Sequence, residues 1–317
     1  MKKLILWTLA AASMLLAGSC QKHTADEDMS MVAFTIDVPL EIGTKTIGDG
    51  KSVDNVRYGV FDQNGNYIES LAQTGDLQIR DRKASFNCRL VRNYTYTIVC
   101  WAQDKDAPYT FDPKTTEVKV SYKGVANDEN RDAFCAAHTF TVPDSPVYSE
   151  TIYLKRPFAQ INFGAADYAQ VKELGLAMTS KVTIKGLADT YNILAGTVSG
   201  DAEAVTKLDL NTVPAQFKPA EKLFVKGNEY GYVSMNYILA PVNDYNEDGT
   251  VKIAQSELAN VVAEFVYNEK TITVDVPNVP FQRNFRTNIV GSFFTNQSSF
   301  NIIVDENFYT PDNYKEF

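Results

Sequence analysis

The chain has 317 residues, with 30 Lys+Arg against 39 Asp+Glu, a formal charge of −9 and 44% hydrophobic residues. That acidic balance excludes a nucleic-acid partner, because phosphate binding needs a net basic face. With 37 aromatic residues and 22% charged ones the body is globular rather than disordered. The length fits about two domains. Two histidines, His23 and His138, leave little for His-rich zinc chemistry or a His-centred triad.

Met1–Lys3 supplies two positive charges, Leu4–Leu16 is an apolar run of thirteen residues, and Ala17-Gly18-Ser19 precedes Cys20. A basic start, a short apolar stretch and a small-residue exit describe a secretory leader over 1–19. The run is too short for a bilayer span of roughly 20 residues. Its ending resembles a bacterial lipoprotein signal, in which Cys20 is acylated and becomes the new N-terminus; the plainer reading is a signal peptide with an incidental Cys. Residues 20–30 then read as a tether, Gln21–Asp28 being polar and acidic. Loss of Lys2 and Lys3 with the leader leaves 28 basic and 39 acidic residues, a charge of −11.

Beyond residue 30 the hydrophobic pattern has period two, the mark of half-buried strands. Val32, Phe34, Ile36 and Val38 alternate with smaller or polar residues, and Pro39 closes the run. The loop Gly43–Lys51 follows, with two lysines, and then the apolar stretch Val56–Phe61. Asn64-Gly65 is a hairpin signal, since both residues tolerate positive φ. Strands are expected at Ala84–Val91 and Tyr94–Ala102, joined by a two-residue turn at Arg92-Asn93, and at Glu117–Tyr122. A short helix is expected at Asn127–Ala137 and a strand at Tyr148–Leu154.

In the second half, strands are expected at Ala159–Phe163, Lys181–Ile184, Tyr191–Thr197, Tyr232–Leu239, Val261–Tyr267, Lys270–Val276, Arg286–Phe294 and Ser299–Val304, with a short helix at Asp167–Leu176. Many short strands with turn signals between them indicate β-sandwiches. The boundary between domains is placed at Lys155-Arg156-Pro157, which gives an N-terminal sandwich over 31–155 and a C-terminal one over 156–317. Each half is long enough to bury a core without disulfide staples.

Cys88, Cys100 and Cys135 remain besides Cys20. A two-residue turn at 92–93 would place Cys88 opposite Thr97 rather than Cys100, so no cross-strand disulfide is expected. The cysteine spacings fit no zinc pattern, and buried thiols are the expectation. Asp244, Asn246, Asp248 and Gly249 match the first half of a calcium loop, but Gln255 stands where the bidentate Glu belongs. The same residues also make an ordinary turn. The acids of 127–132, Asp128 and Glu129 among them, suit either a helix N-cap or a hydrolase pair. There is no G-x-S-x-G, P-loop or G-x-G-x-x-G signature, so neither an enzyme nor a cofactor is expected.

Several segments in order carry a resemblance. They are the leader ending at Cys20, the strand Val32–Pro39 with TKTIGDGK after it, Phe86–Leu90 leading to YTIVCWAQ (Tyr96–Gln103), NDENRDAF (Asn127–Phe134), LKRPFAQINF (Leu154–Phe163) and PFQRNFRTNIVGSF (Pro280–Phe293). Together they resemble the fimbrillin-type lipoproteins of Bacteroidetes, which include the type V pilins. The resemblance implies a mainly β chain of two transthyretin-like β-sandwich domains with a few short helices. It also implies outer-membrane lipoprotein transport and polymerisation after a trypsin-like or Arg-specific protease removes the first strand. A C-terminal strand of a neighbouring subunit then fills the groove.

On that pattern the removable strand carries Val32, Phe34, Ile36 and Val38. The candidate cleavage residues are Lys45 and Lys51 in the loop and Arg57 within the next strand. The candidate donor strand carries Phe300, Ile302 and Val304. The plainer alternative is that both are permanent strands of their own domains. The expected partners are other pilin subunits, the outer membrane through lipid, and a host or bacterial surface ligand. A surface glycan-binding lipoprotein is the second reading, motivated by the abundant Tyr.

Overall fold

The structure is a computed structural model that describes residues 28–39, 48, 50–125, 128–175, 178–211, 222–242, 257–295 and 300–305. In chain order its first strands are β1 (Met29–Asp37), β2 (Asn55–Phe61), β3 (Leu77–Gln78), β4 (Lys83–Val91), β5 (Thr95–Gln103), β6 (Tyr109–Asp112), β7 (Glu117–Val120) and β8 (Lys123–Val125). β9 (Ala133–Thr141), β10 (Val147–Tyr153) and β11 (Phe158–Ala165) follow, then the helix α1 (Tyr168–Glu173). The later strands are β12 (Met178–Leu187), β13 (Thr190–Asn192), β14 (Thr197–Ser199), β15 (Ala202–Asp209), β16 (Lys222–Val225) and β17 (Asn228–Leu239). β18 (Glu257–Tyr267), β19 (Lys270–Phe281), β20 (Arg286–Gly291) and β21 (Phe300–Asp305) complete them. Two 3₁₀ turns, Glu69–Leu71 and Glu129–Arg131, are the other helical pieces among the described residues.

The fold is mainly β and built of packed sheets, as the period-two pattern predicts. Strand orders are β10-β1-β4, β3-β2-β5-β9, β14-β13-β7-β6, β19-β18-β12-β15-β8 and β16-β17-β11-β20-β21. The first two sheets enclose one core. Val32, Phe34 and Ile36 of β1 and Phe86 and Leu90 of β4 meet Val56, Tyr58 and Val60 of β2 and Ile98 and Cys100 of β5 there.

The sheet β3-β2-β5-β9 is buried on both faces. Alternate residues Phe61, Val99 and Trp101 point the other way, into a second core shared with β6, β7 and the second half of the chain. Phe158 lies 6.2 Å from Trp101 across that junction. Further on, Phe163 of β11 meets Phe265 of β18 at 5.8 Å, joining the two five-stranded sheets. Residues on both sides of the 155–156 position build this second core, and β7 pairs with β13 and β8 with β15.

Several local expectations are corrected. β4 and β5 do not form a hairpin: β4 pairs with β1, and β5 with β2 and β9. The turn at Arg92-Asn93, with Asn93 at φ 59°, instead carries the chain from one sheet to the other. Cys88 therefore stands opposite Val32 rather than Thr97. The helix expected at 127–137 shrinks to the 3₁₀ turn, and Ala133 onward is strand β9. Pairing along the whole of β5 outweighs the helical preference of its alanines. The strand expected at 191–197 is a hairpin of β13 and β14.

The Asn64-Gly65 turn is present. Gly65 has φ +79°, and the Asp62 carboxylate accepts from the Asn64 and Asn66 amides at 2.8 and 2.9 Å. Those bonds, the Asn66 side chain first among them, hold the Asp62 carboxyl below its usual range.

Candidate functional site

β1 comes first in the chain order yet lies in the middle of its sheet. It runs parallel to β10 from Met31↔Val147 to Asp37↔Tyr153, and antiparallel to β4 from Met29↔Val91 to Asp37↔Lys83. Both of its backbone edges are thus paired. Its alternation puts Val32, Phe34, Ile36 and Val38 in the core, each 0–1% exposed. Phe34 stacks on Phe86 at 4.8 Å and meets Phe140 edge-on at 5.3 Å. The periodicity marks Phe86, while Phe140 and the parallel partner β10 are long-range features that no local pattern carries.

Beyond β1 the backbone is held at Val38, whose N–H donates to the Arg82 carbonyl at 2.9 Å, and at Pro39, whose carbonyl accepts from Arg82 Nη1 at 2.7 Å. The next described residue is Gly48. Its N–H donates to Glu129 Oε2 and its carbonyl accepts from Arg156 Nη2, each at 2.5 Å. Arg156 is itself buried, donating to both oxygens of Asp132 at 2.6 and 2.8 Å and to Asn284 Oδ1 at 2.9 Å. Its guanidinium also lies 4.8 Å from the Phe134 ring centre. This cluster joins Gly48, the 3₁₀ turn and the start of the second half.

The remaining candidate residues divide as follows. Lys51 is exposed in a turn, and Arg57 lies in β2 with its side chain on Asp76. β21 is the edge strand of its sheet, pairing with β20; Ile303 packs on the second core, Val304 is half-buried and Ile302 is exposed. Phe300 begins this strand. Cys20, Lys45 and the candidate calcium residues Asp244, Asn246 and Asp248 lie outside the described residues.

The acids of 127–132 have structural partners. Asp128 caps the 3₁₀ turn by accepting from the Asn130 amide, Glu129 holds Gly48, and Asp132 holds Arg156. Cys88, Cys100 and Cys135 are free and buried. Burial pushes the Cys88 and Cys135 thiols up to about 11 and Cys100 further in the same direction. His138 bonds Glu150 at 2.9 Å. No helix among the described residues is long and apolar enough to cross a membrane.

Residues 27–316 match the family described as "Family of unknown function (DUF6562)", and the chain belongs to it. No curated protein matches the sequence. Solved structures similar to the fold include a fimbrial assembly protein from Parabacteroides distasonis, at 13% identity and a TM-score of 0.44, covering 87% of this chain and 95% of that one. A protein from Bacteroides ovatus, provisionally described as a cell adhesion protein, aligns at 14% identity and a TM-score of 0.48, covering 88% and 98%. One from Bacteroides thetaiotaomicron, provisionally described as polysaccharide-binding, aligns at 14% and 0.47, covering 87% and 96%.

Proposed function

We propose that the protein is a lipid-anchored cell-surface fimbrial subunit or adhesin that assembles by strand exchange. Acylated Cys20 holds it on the outer membrane. Proteolysis in the 45–57 segment frees β1, and the C-terminal strand of another subunit enters the groove left between β4 and β10. The observation that carries this reading is the position of β1. One nine-residue strand supplies three apolar core side chains, with Val38 directly after it as a fourth, and stands between β4 and β10 in the sheet.

Its departure would leave two rows of open backbone groups above an apolar slot. A strand of alternating side chains is the ligand such a slot accepts. Among the described residues β21 is an edge strand paired with β20 alone, so its release breaks one ladder rather than two.

Limited trypsin digestion of the full-length protein tests the proposal. The expected result is a cut between Lys45 and Arg57, loss of the fragment bearing Val32–Val38, and polymers visible by size-exclusion chromatography and electron microscopy. A chain left uncut there, or a cut product that stays monomeric, argues against it. Labelled palmitate incorporated by the wild type and lost in Cys20→Ala tests the anchor separately.

A further inference from the structure

At one end of the N-terminal sandwich, where β1 and β5 begin, apolar side chains gather at the surface. Met31 N–H donates to the Pro146 carbonyl at 2.9 Å, and Met31 stands directly opposite Val147 of β10. The turn after β4 closes the other side. Asn93 N–H donates to the Val142 carbonyl at 2.7 Å, and Val142 N–H to the Tyr94 carbonyl at 3.0 Å. Met31, Tyr94 and Val147 are 43%, 46% and 66% exposed, and Pro143 and Pro146 of the same end are exposed as well. Farther along, the outer face of this sheet turns polar, with Thr35 on β1, Ser149 on β10, and Ser85 and Asn87 on β4. A lone exposed apolar residue is ordinary, whereas a contiguous group rimmed by polar residues marks an interaction surface.

The chain reaches this end directly from its N-terminus. Arg92 N–H donates to the Asp28 carbonyl at 2.9 Å, which fixes Asp28 beside the cluster, and Cys20 precedes Asp28 by eight residues. Eight residues span at most about 28 Å, and a flexible polar stretch of that length averages about 16 Å end to end. Arg92 and Asp144 offset each other at 3.5 Å. The exposed Arg89 stands directly opposite Met31, where its stem can lie on the apolar cluster while its guanidinium meets lipid phosphate.

We propose that this end of the N-terminal sandwich docks on the lipid surface to which the anchor holds it. The inference rests on the acylation of Cys20 proposed above. Tethering raises the local concentration of the cluster at the bilayer to the millimolar range, so a contact too weak to form from solution becomes populated. Met31, Tyr94 and Val147 enter the headgroup region as interfacial side chains do. β1, β4 and β10 then stand steeply to the surface. Nine residues at roughly 3.3 Å each carry the far end of β1 about 30 Å outward. Val38, from which the chain continues to the candidate cleavage residues, is held that far from the lipid.

Tryptophan reporters test the orientation in the acylated, uncleaved protein, reconstituted in vesicles of phosphatidylethanolamine and phosphatidylglycerol with brominated acyl chains. Val147→Trp marks the docked end. Tyr153→Trp, also exposed on the outer face of β10, lies six residues along the strand, about 20 Å away. Trp101 is buried and supplies a constant background. Bromine is expected to quench Val147→Trp emission about twofold and to leave Tyr153→Trp unchanged. Tyr94→Trp, a conservative change on the other side of the cluster, is expected to follow Val147→Trp. Met31→Asp is expected to remove the quenching at 147 while labelled palmitate stays in place, and an unchanged melting temperature verifies that these surface variants fold. Equal quenching at 147 and 153 would mean that the sheet lies flat, and quenching at neither that this end stays in water. Quenching that persists in Met31→Asp would mean that the cluster is not the contact. Each of these results overturns the docking and leaves the anchor standing, whereas absence of the palmitate label removes anchor and docking together.

Discussion

Arg156 and Asp132 show how one residue pair can hold a seam. Their side chains are 0% and 1% exposed, and the pair also fixes Gly48 and Asn284. Removing one partner strands the other charge away from water. Asp132→Asn is therefore expected to lower unfolding stability by about 3–5 kcal/mol, read as the shift of a urea midpoint at constant slope.

The thiols predict a pH dependence of definite sign. Cys88 and Cys135 are pushed from 9.0 to about 11 by burial, and burial likewise pushes the Tyr58 hydroxyl up to about 12. The unfolded chain releases the thiol protons near 9 while the folded chain keeps them to about 11. Their contribution is fully present below pH 9 and is lost as pH rises through 11. The loss is of the order of 2–3 kcal/mol per thiol. A urea midpoint that stays flat from pH 8 to pH 11 would contradict this.

Among the elements, β1 concentrates the most consequence in the fewest residues. Phe34 touches two other rings, so Phe34→Ala is expected to cost about 3–5 kcal/mol. The same substitution should accelerate trypsin cleavage of the loop beyond β1, measured by the rate at which the β1 fragment appears. The strand itself is legible in sequence because Val32, Phe34, Ile36 and Val38 alternate without interruption. β15 is not, because its inward residues include Ala204 and Thr206 alongside Leu208, too small or too polar to stand out.

Pairing partners are the least legible feature. Arg92-Asn93 has the length of a hairpin turn, and only the competition of β1 for β4 and of β2 and β9 for β5 reveals a crossing between sheets. Asn55, Arg57, Trp101 and Gln103 become neighbours through a register that no local motif encodes. Gly59 is similar: a Cβ there would stand 2.7 Å from the Pro113 carbonyl oxygen, a close approach that explains a glycine inside a strand.

At the scale of the whole molecule, the sheet β3-β2-β5-β9 serves two cores at once. Val56, Ile98 and Cys100 face one, and Phe61, Val99 and Trp101 face the other. Neither half can lose its packing without exposing a face of that sheet. Unfolding is therefore expected as one cooperative transition, with calorimetric and van't Hoff enthalpies equal. Two resolved transitions would mean that the halves are energetically separate. The near-continuous apolar runs of Val56–Phe61 and Tyr96–Ala102 are the sequence trace of this double burial.

The two neighbours of β1 run in opposite senses, β10 along it and β4 against it. The groove and the strand that fills it are different surfaces of the subunit. Any chain of subunits joined through this position would carry an arrow: each joint is head-to-tail, no twofold axis relates adjacent copies, and the filament has two chemically different ends. Growth and capping would then be separate events at separate ends, because one end presents the groove and the other the strand that fills it.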